Sequence, residues 1–189
     1  YVFVPMGCGT NISGIRKGFK EFYKLGLVNR LPKMVGIQAN GTNPIVHAFN
    51  KKMKDIPTID KPHTVSSAIC VGSPIDGIKA LMALKESKGL AFSIDDHKTL
   101  EAEKMLAKLE SIFVEPAAAT PLASLIKELE KGNIDADSRI VMVMTGIGLK
   151  DPLSALKVLS SPPTVEPNIK EVEKFLKYGT YNFSEINKN

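Results

Sequence analysis

Pro5-Met6-Gly7-Cys8-Gly9-Thr10-Asn11 is the segment whose residue types say most about chemistry. Two glycines one residue apart let a backbone approach an anion closely and turn its amides inward. A helix that follows adds unpaired N–H groups and the positive end of its dipole. A phosphate group suits such a loop, although the same residues also read as a tight turn in which Thr10 or Asn11 caps the helix. A dinucleotide fingerprint would need a third glycine at position 12 and an acid near the end of the next strand, where Ile12, Gln38 and Asn40 stand. A triphosphate-binding loop would need Lys and then Ser or Thr after its last glycine, whereas Gly14 is followed by Ile15 and Arg16. Nicotinamide dinucleotides and nucleoside triphosphates are therefore disfavoured.

The second candidate is Met144-Thr145-Gly146-Ile147-Gly148-Leu149-Lys150-Asp151-Pro152. Its glycines would let a flat ring lie close to the backbone, and the Thr145 hydroxyl could meet a ring nitrogen; a turn or cap is the plainer use of such a threonine. In Val114-Glu115-Pro116-Ala117-Ala118-Ala119-Thr120-Pro121 an acid precedes small residues that open a helix, so Glu115 either faces a pocket or stabilises that helix start. Thr64 to Pro74 is rich in hydroxyls and reads as a solvated surface loop before it reads as a pocket wall. His47, His63 and His97 lack ligand spacing, so no metal site is expected. Cys8 sits where a helix start would favour a thiolate, but no base beside it is visible, and no nucleophile triad can be assembled. No catalytic residue is assigned.

Elements that can position these segments are legible. Apolar, β-branched runs at Val2 to Val4, Met34 to Ile37, Leu90 to Ile94 and Ile140 to Met144 predict strands, with Met142 and Met144 in the sheet core. Helical periodicity lies between them, at about Ile12 to Leu25, Pro44 to Met53, Gly77 to Ser87, Lys98 to Leu109 and Pro121 to Lys131. Gly26, Gly89 and Gly132 follow helices and are expected to end them in the left-handed conformation. Strands alternating with helices predict an α/β fold, a three-layer parallel sheet with helices on both faces. After Lys150 the pattern predicts a short helical C-terminal tail. Pro152 opens a helix to about Leu159, Ser160-Ser161-Pro162-Pro163 breaks the chain, and Asn168 caps a last helix whose Ile169, Val172 and Leu176 share a face. That tail is expected to pack back on the body or on a partner.

Composition removes several function classes. The 189 residues, 43% of them hydrophobic, can bury one substantial core. The 25 basic and 20 acidic residues leave +5, but Lys and Glu alternate as on solvated helix faces, without the concentrated basic surface of a nucleic-acid binder. With two cysteines, no secretory leader and no long apolar span, a soluble protein of the reducing cytoplasm is expected, with no membrane partner. The opening Tyr1-Val2-Phe3-Val4-Pro5 reads as a strand entered partway through a fold, so the chain is expected to be a fragment.

Taken in order, the motifs resemble the carboxyl-terminal portion of threonine synthase, a pyridoxal-phosphate enzyme of the tryptophan-synthase-β fold type. The matching stretches are Val4 to Asn11 with Lys17-Gly18-Phe19-Lys20-Glu21, then Gly36-Ile37-Gln38-Ala39, Phe113 to Ala117, and Thr145 to Pro152. The resemblance covers Val2 to Pro152, and Gly148-Leu149-Lys150-Asp151-Pro152 discriminates best. It implies that residues 1–152 form a pyridoxal-phosphate-cradling α/β domain, incomplete because it lacks the amino-terminal half, with 153–189 a C-terminal helical extension. It also implies that Gly7, Cys8, Gly9, Thr10 and Asn11 hold the phosphate of pyridoxal 5'-phosphate, and that Thr145 faces the pyridine nitrogen. Some family members carry Asn and Gly where Cys8 and Thr10 stand, which leaves the backbone cradle intact.

The implied reaction converts O-phosphohomoserine and water to threonine and phosphate, so the expected partner is a small phosphorylated amino-acid substrate; a homodimer is one possible assembly, and the sequence does not specify the oligomeric state. The family's Schiff-base lysine belongs to an amino-terminal segment with no counterpart here; Lys17, Lys20 and Lys150 read as surface or helix-end lysines, and this chain alone is expected to be catalytically silent. Cysteate synthase shares the scaffold and stays open as an alternative. A serine/threonine dehydratase would carry more consecutive glycines and often Ser or Cys at the ring nitrogen. A noncatalytic α/β module that binds an anion or a partner protein is the alternative from another class.

Overall fold

Alternate residues of a strand face opposite sides of its sheet, so Val2 and Val4 must be buried on one face and Phe3 on the other. In the computed structural model, which describes residues 1–157, 159 and 164–178, both sets are buried. Four strands, β1 (Val2–Pro5), β2 (Met34–Ala39), β3 (Leu90–Ile94) and β4 (Val141–Met142), form one sheet in the order β3-β2-β1-β4, every pair parallel.

The layers follow from handedness. From β1 the chain steps to β2 and on to β3 through α1 (Thr10–Lys24), α2 (Pro44–Asn50) and α3 (Gly77–Glu86). It then reverses, passing α4 (Asp96–Glu110) and α5 (Pro116–Glu130) to place β4 on the far side of β1. Parallel crossovers share one hand, so a reversal of direction moves the helices to the opposite face. Accordingly Ile12, Ile45, Val46, Ala80 and Leu84 pack with Val2 and Val4, while Ala102, Leu106, Ala118, Ala119 and Ala123 pack with Phe3, Val35 and Ile37. This is the expected three-layer α/β fold, and Met142 and Met144 join the second core.

Several boundaries differ from expectation for identifiable reasons. Helix α5 starts at Pro116, with Pro121 inside it. The proline cannot donate to the Ala117 carbonyl, but the Thr120 hydroxyl does so at 2.8 Å, and the helix continues. Gly26 and Gly132 are left-handed as expected, at φ +72° and +71°. Gly89 is not; Lys88 takes that conformation, and Gly89 is needed because a Cβ there would lie 2.1 Å from the Met34 carbonyl oxygen. The tail holds α6 (Pro152–Ala155), four residues long and packed on α4, and α7 (Ile169–Tyr178), which begins where the Asn168 carboxamide oxygen accepts the Glu171 N–H at 3.0 Å. The expected break at Ser160 to Pro163 lies outside the described residues.

Candidate functional site

An open parallel sheet binds ligands beyond the carboxyl ends of its strands, where neighbouring crossovers leave in opposite directions and open a crevice. In this sheet that point lies between β1 and β4. The Gly7 to Asn11 loop leaves the end of β1. Phe3 pairs with Met142, the last residue of β4, the Val143 N–H donates to the Phe3 carbonyl at 3.0 Å, and Thr145 follows two residues later. The fold therefore brings the two strongest sequence candidates to the same edge.

The loop is held open by its own packing. Gly9 caps α1 in the left-handed conformation at φ +92°, and a Cβ there would lie 2.9 Å from both the Asp76 carbonyl oxygen and the Ala80 side chain. Gly7 lies against Ile69 and Ala68. Among the described residues, no acceptor takes the amides of Gly7, Cys8, Gly9, Thr10 or Asn11. Five free N–H groups at a strand-to-helix turn suit a phosphate. The Thr10 hydroxyl, by contrast, is engaged: it donates to the Asp76 carboxylate at 2.6 Å, and the Asp76 N–H donates to the Cys8 carbonyl at 3.0 Å. Lys79, foremost, and Thr10 hold the Asp76 carboxyl below its usual range.

Thr145 is exposed, and the segment after it is built onto the start of α5. The Glu115 N–H donates to the Gly146 carbonyl at 3.0 Å, the Gly148 N–H donates to the Phe113 carbonyl at 3.0 Å, and Val114 and Ile147 form an antiparallel bridge. Both glycines are demanded by contact: a Cβ on Gly146 would lie 2.2 Å from a Glu115 carboxylate oxygen, and one on Gly148 would lie 2.5 Å from the Phe113 ring. Glu115, 5% exposed, makes no side-chain cap; its carboxylate pairs with Lys150 at 3.1 Å, closing a brace over Gly146.

The Thr64 to Pro74 segment is solvated in part, with Ser67, Ala68 and Ser73 exposed, and anchored to the body in part. The Thr64 hydroxyl and Val65 N–H donate to the Asp96 carboxylate at 2.5 and 2.9 Å, Ser66 is fully buried with no hydrogen-bond partner for its hydroxyl among the described residues, and Ile69 is buried with Ala39 and Ala117. It walls the Gly7 loop, Ile69, Ala68 and Val71 lying against Gly7. Sequence reasoning missed this wall and Asp76, since nothing local tells that Asp76 meets a threonine 66 positions earlier. His47, His63 and His97 are exposed and separate.

Comparison with known proteins sets this geometry among relatives. A family model described as "Pyridoxal-phosphate dependent enzyme" matches residues 1–146. The threonine synthase of Methanocaldococcus jannaschii is 48% identical over 176 residues, which is 93% of this chain and 44% of that protein. The threonine synthase of Methanosarcina acetivorans is 43% identical, over 92% of this chain and 43% of that protein. The chain thus spans less than half the length of these relatives. In fold it is similar to a fungal L-serine ammonia-lyase from Rhizomucor miehei, with a TM-score of 0.65 at 18% identity, over 82% of this chain and 49% of that one.

Proposed function

The chain belongs to the pyridoxal-phosphate dependent enzymes, and from that premise we propose that it is the carboxyl-terminal part of a threonine synthase, acting on O-phosphohomoserine and water to give threonine and phosphate. The observation that carries this reading is the carboxyl end of the neighbouring strands β1 and β4, from which a loop with five amides unpartnered among the described residues and the segment holding Thr145 both leave, in a chain 43–48% identical to threonine synthases over the aligned residues.

The residues fit the cofactor. In our reading the amides of Gly7, Cys8, Gly9, Thr10 and Asn11 hold its phosphate, and Cβ atoms at Gly7 or Gly9 would press on the packing that shapes this loop. Thr10 contributes through its N–H, its hydroxyl being committed to Asp76. Thr145 offers the pyridine nitrogen a hydroxyl, which orients the ring without forcing the full protonation that a carboxylate partner would impose. Glu115 and Lys150 hold the Thr145 to Gly148 backbone against α5 so that the hydroxyl keeps its place. When bound, the cofactor supplies the electron sink for carbanion chemistry at the substrate.

Lys17 is paired with Glu21, Lys20 with Glu86 and Lys150 with Glu115. We place the Schiff-base lysine outside these 189 residues, since no segment of the chain resembles the one that carries it in the family, and read the chain alone as catalytically silent. Residues 1–152 are the cofactor-cradling domain and 153–189 its extension. Among the described residues no helix is long and apolar enough to cross a membrane, in keeping with a cytoplasmic enzyme. Exposed Ile147, Leu149 and Leu153 beside β4 suit an apolar contact, either with the rest of a longer chain or with a second copy in a homodimer.

The test is to supply the full-length protein, loaded with pyridoxal phosphate, with O-phosphohomoserine and to follow both products. Threonine and phosphate in equal amounts, lowered in Thr145→Ala, is the expected result. A 2-oxoacid and ammonia from serine or threonine, with no phosphate release, would refute the assignment in favour of a dehydratase.

A further inference from the structure

A groove of about 580 Å³ runs between α1 and α3 on the outer face, away from the strand ends except at Thr10. Arg16, Lys17, Lys20 and Lys24 line it from α1, and Lys79 lines it from α3. Glu21, Asp76 and Glu86 stand among them, each holding one lysine: Lys17 on Glu21, Lys20 on Glu86 at 2.7 Å and Lys79 on Asp76 at 2.7 Å. Five cations against three carboxylates leave two positive charges in excess. One of the five is unusual. Arg16 is 7% exposed; its Nη2 donates a long bond of 3.4 Å to the Glu86 carbonyl, and its Nε and Nη1 have no partner among the described residues.

A guanidinium carries five donors in a planar fork, and burying it with most of them unfilled is costly unless an acceptor completes the fork. Packing alone does not require an arginine here, since its neighbours Ile12, Ile15 and Phe19 already supply the apolar face of α1. We propose that this groove binds a small, multiply charged oxyanion, phosphoryl or dicarboxylate, which is held by Lys20 and Lys24 and reaches the Arg16 fork, buried in the groove floor beside Glu86, by displacing the side chains that cover it. The two-pronged geometry of arginine matches phosphate and carboxylate oxygens, and the lysines above it are long enough to close over such a ligand.

The groove is wired to the loop at the end of β1. Lys79 holds the Asp76 carboxylate, which accepts the Thr10 hydroxyl; the Asp76 N–H holds the Cys8 carbonyl, and Gly9 packs on the Asp76 backbone. An anion that draws Lys79 toward it leaves Asp76 to Thr10 alone and alters the loop around Cys8. Binding in the groove therefore reports on the loop, which makes it an effector site distinct from the crevice. The groove does not depend on which cofactor the crevice takes.

Titration calorimetry of the full-length protein with pyrophosphate, and separately with malonate, tests the site. Binding of either in one equivalent is expected, the preferred one identifying the ligand class. Both Arg16→Met and the exposed double reversal Lys20→Glu/Lys24→Glu should weaken it about tenfold or more, the loss of one charge-assisted hydrogen bond. In a Cys70→Ser background, the ligand should change the rate of Cys8 alkylation by iodoacetamide, and Asp76→Asn should remove that change while binding persists. No binding of either anion, or binding that both variants leave intact, would overturn the proposal. An unaltered Cys8 rate on saturation would overturn the coupling.

Discussion

Glu103 lies on α4, 2% exposed, with neither carboxylate oxygen hydrogen-bonded among the described residues. Burial, and then the nearby Asp151 carboxylate, push its pKa from an ordinary 4.5 up to about 7. Folded protein thus keeps the Glu103 proton up to about pH 7, whereas the unfolded chain releases it near its ordinary value. Across that window the folded state binds more protons, so stability falls as pH rises, and the contribution present at low pH is lost on passing the folded pKa. A difference of 2.5 between the two values amounts to about 3 kcal/mol at 1.36 kcal/mol per unit. Glu103→Gln has no proton to lose. Urea denaturation of wild type and variant, from about pH 5 to about pH 9, should show the stability difference moving in the variant's favour by about 2.5 kcal/mol, most of it between pH 5 and 8. The buried carboxamide carries its own cost, which is constant with pH and cancels from the comparison. A difference that stays flat across this range, or a wild type that gains stability as pH rises through 7, would refute the reasoning.

Two further substitutions probe the crevice. Gly9→Ala places a methyl where φ is +92° and where it would lie 2.9 Å from the Asp76 carbonyl oxygen; the left-handed conformation alone costs about 1–2 kcal/mol, so a lower urea midpoint and weaker affinity for pyridoxal phosphate are expected together, and unchanged affinity would count against the loop as the phosphate cradle. Lys150→Met strips the buried Glu115 of its cation, and because Lys150 itself is largely exposed the expected loss is about 1–2 kcal/mol. Adding Glu115→Gln should restore most of it, and additive losses in the double-mutant cycle would mean that the pair does not act as a brace.

Much of the fold is written locally. Val2 to Pro5 and Leu90 to Ile94 are strands because runs of β-branched and apolar residues have no other way to be buried, and Asn168 caps α7 as its side chain dictates. The candidate crevice was legible for the same reason, since a glycine-bearing turn and a threonine each followed a strand and parallel strands end on one side. The departures came from contacts remote in sequence. Pro121 resembles a helix start until the Thr120 hydroxyl is seen to cover the carbonyl that proline abandons. Glu103 sits in a Lys- and Glu-rich stretch that reads as a solvated face, and it is buried in a fold that packs α4 against α5 and α6. The Thr10 to Asp76 bond and the Glu115 to Lys150 pair depend on which helices the fold sets side by side, and no local pattern encodes that choice.

Absorption spectroscopy shows whether residues at the β1 and β4 ends cradle pyridoxal phosphate for a lysine supplied from elsewhere. Pyridoxal phosphate is added to the full-length protein and to the 189-residue chain. The account predicts the visible band of lysine-bound cofactor in the longer protein alone, weakened or lost in Gly9→Ala and altered in Thr145→Ala. A longer protein with no such band, or one whose band neither substitution touches, would contradict it.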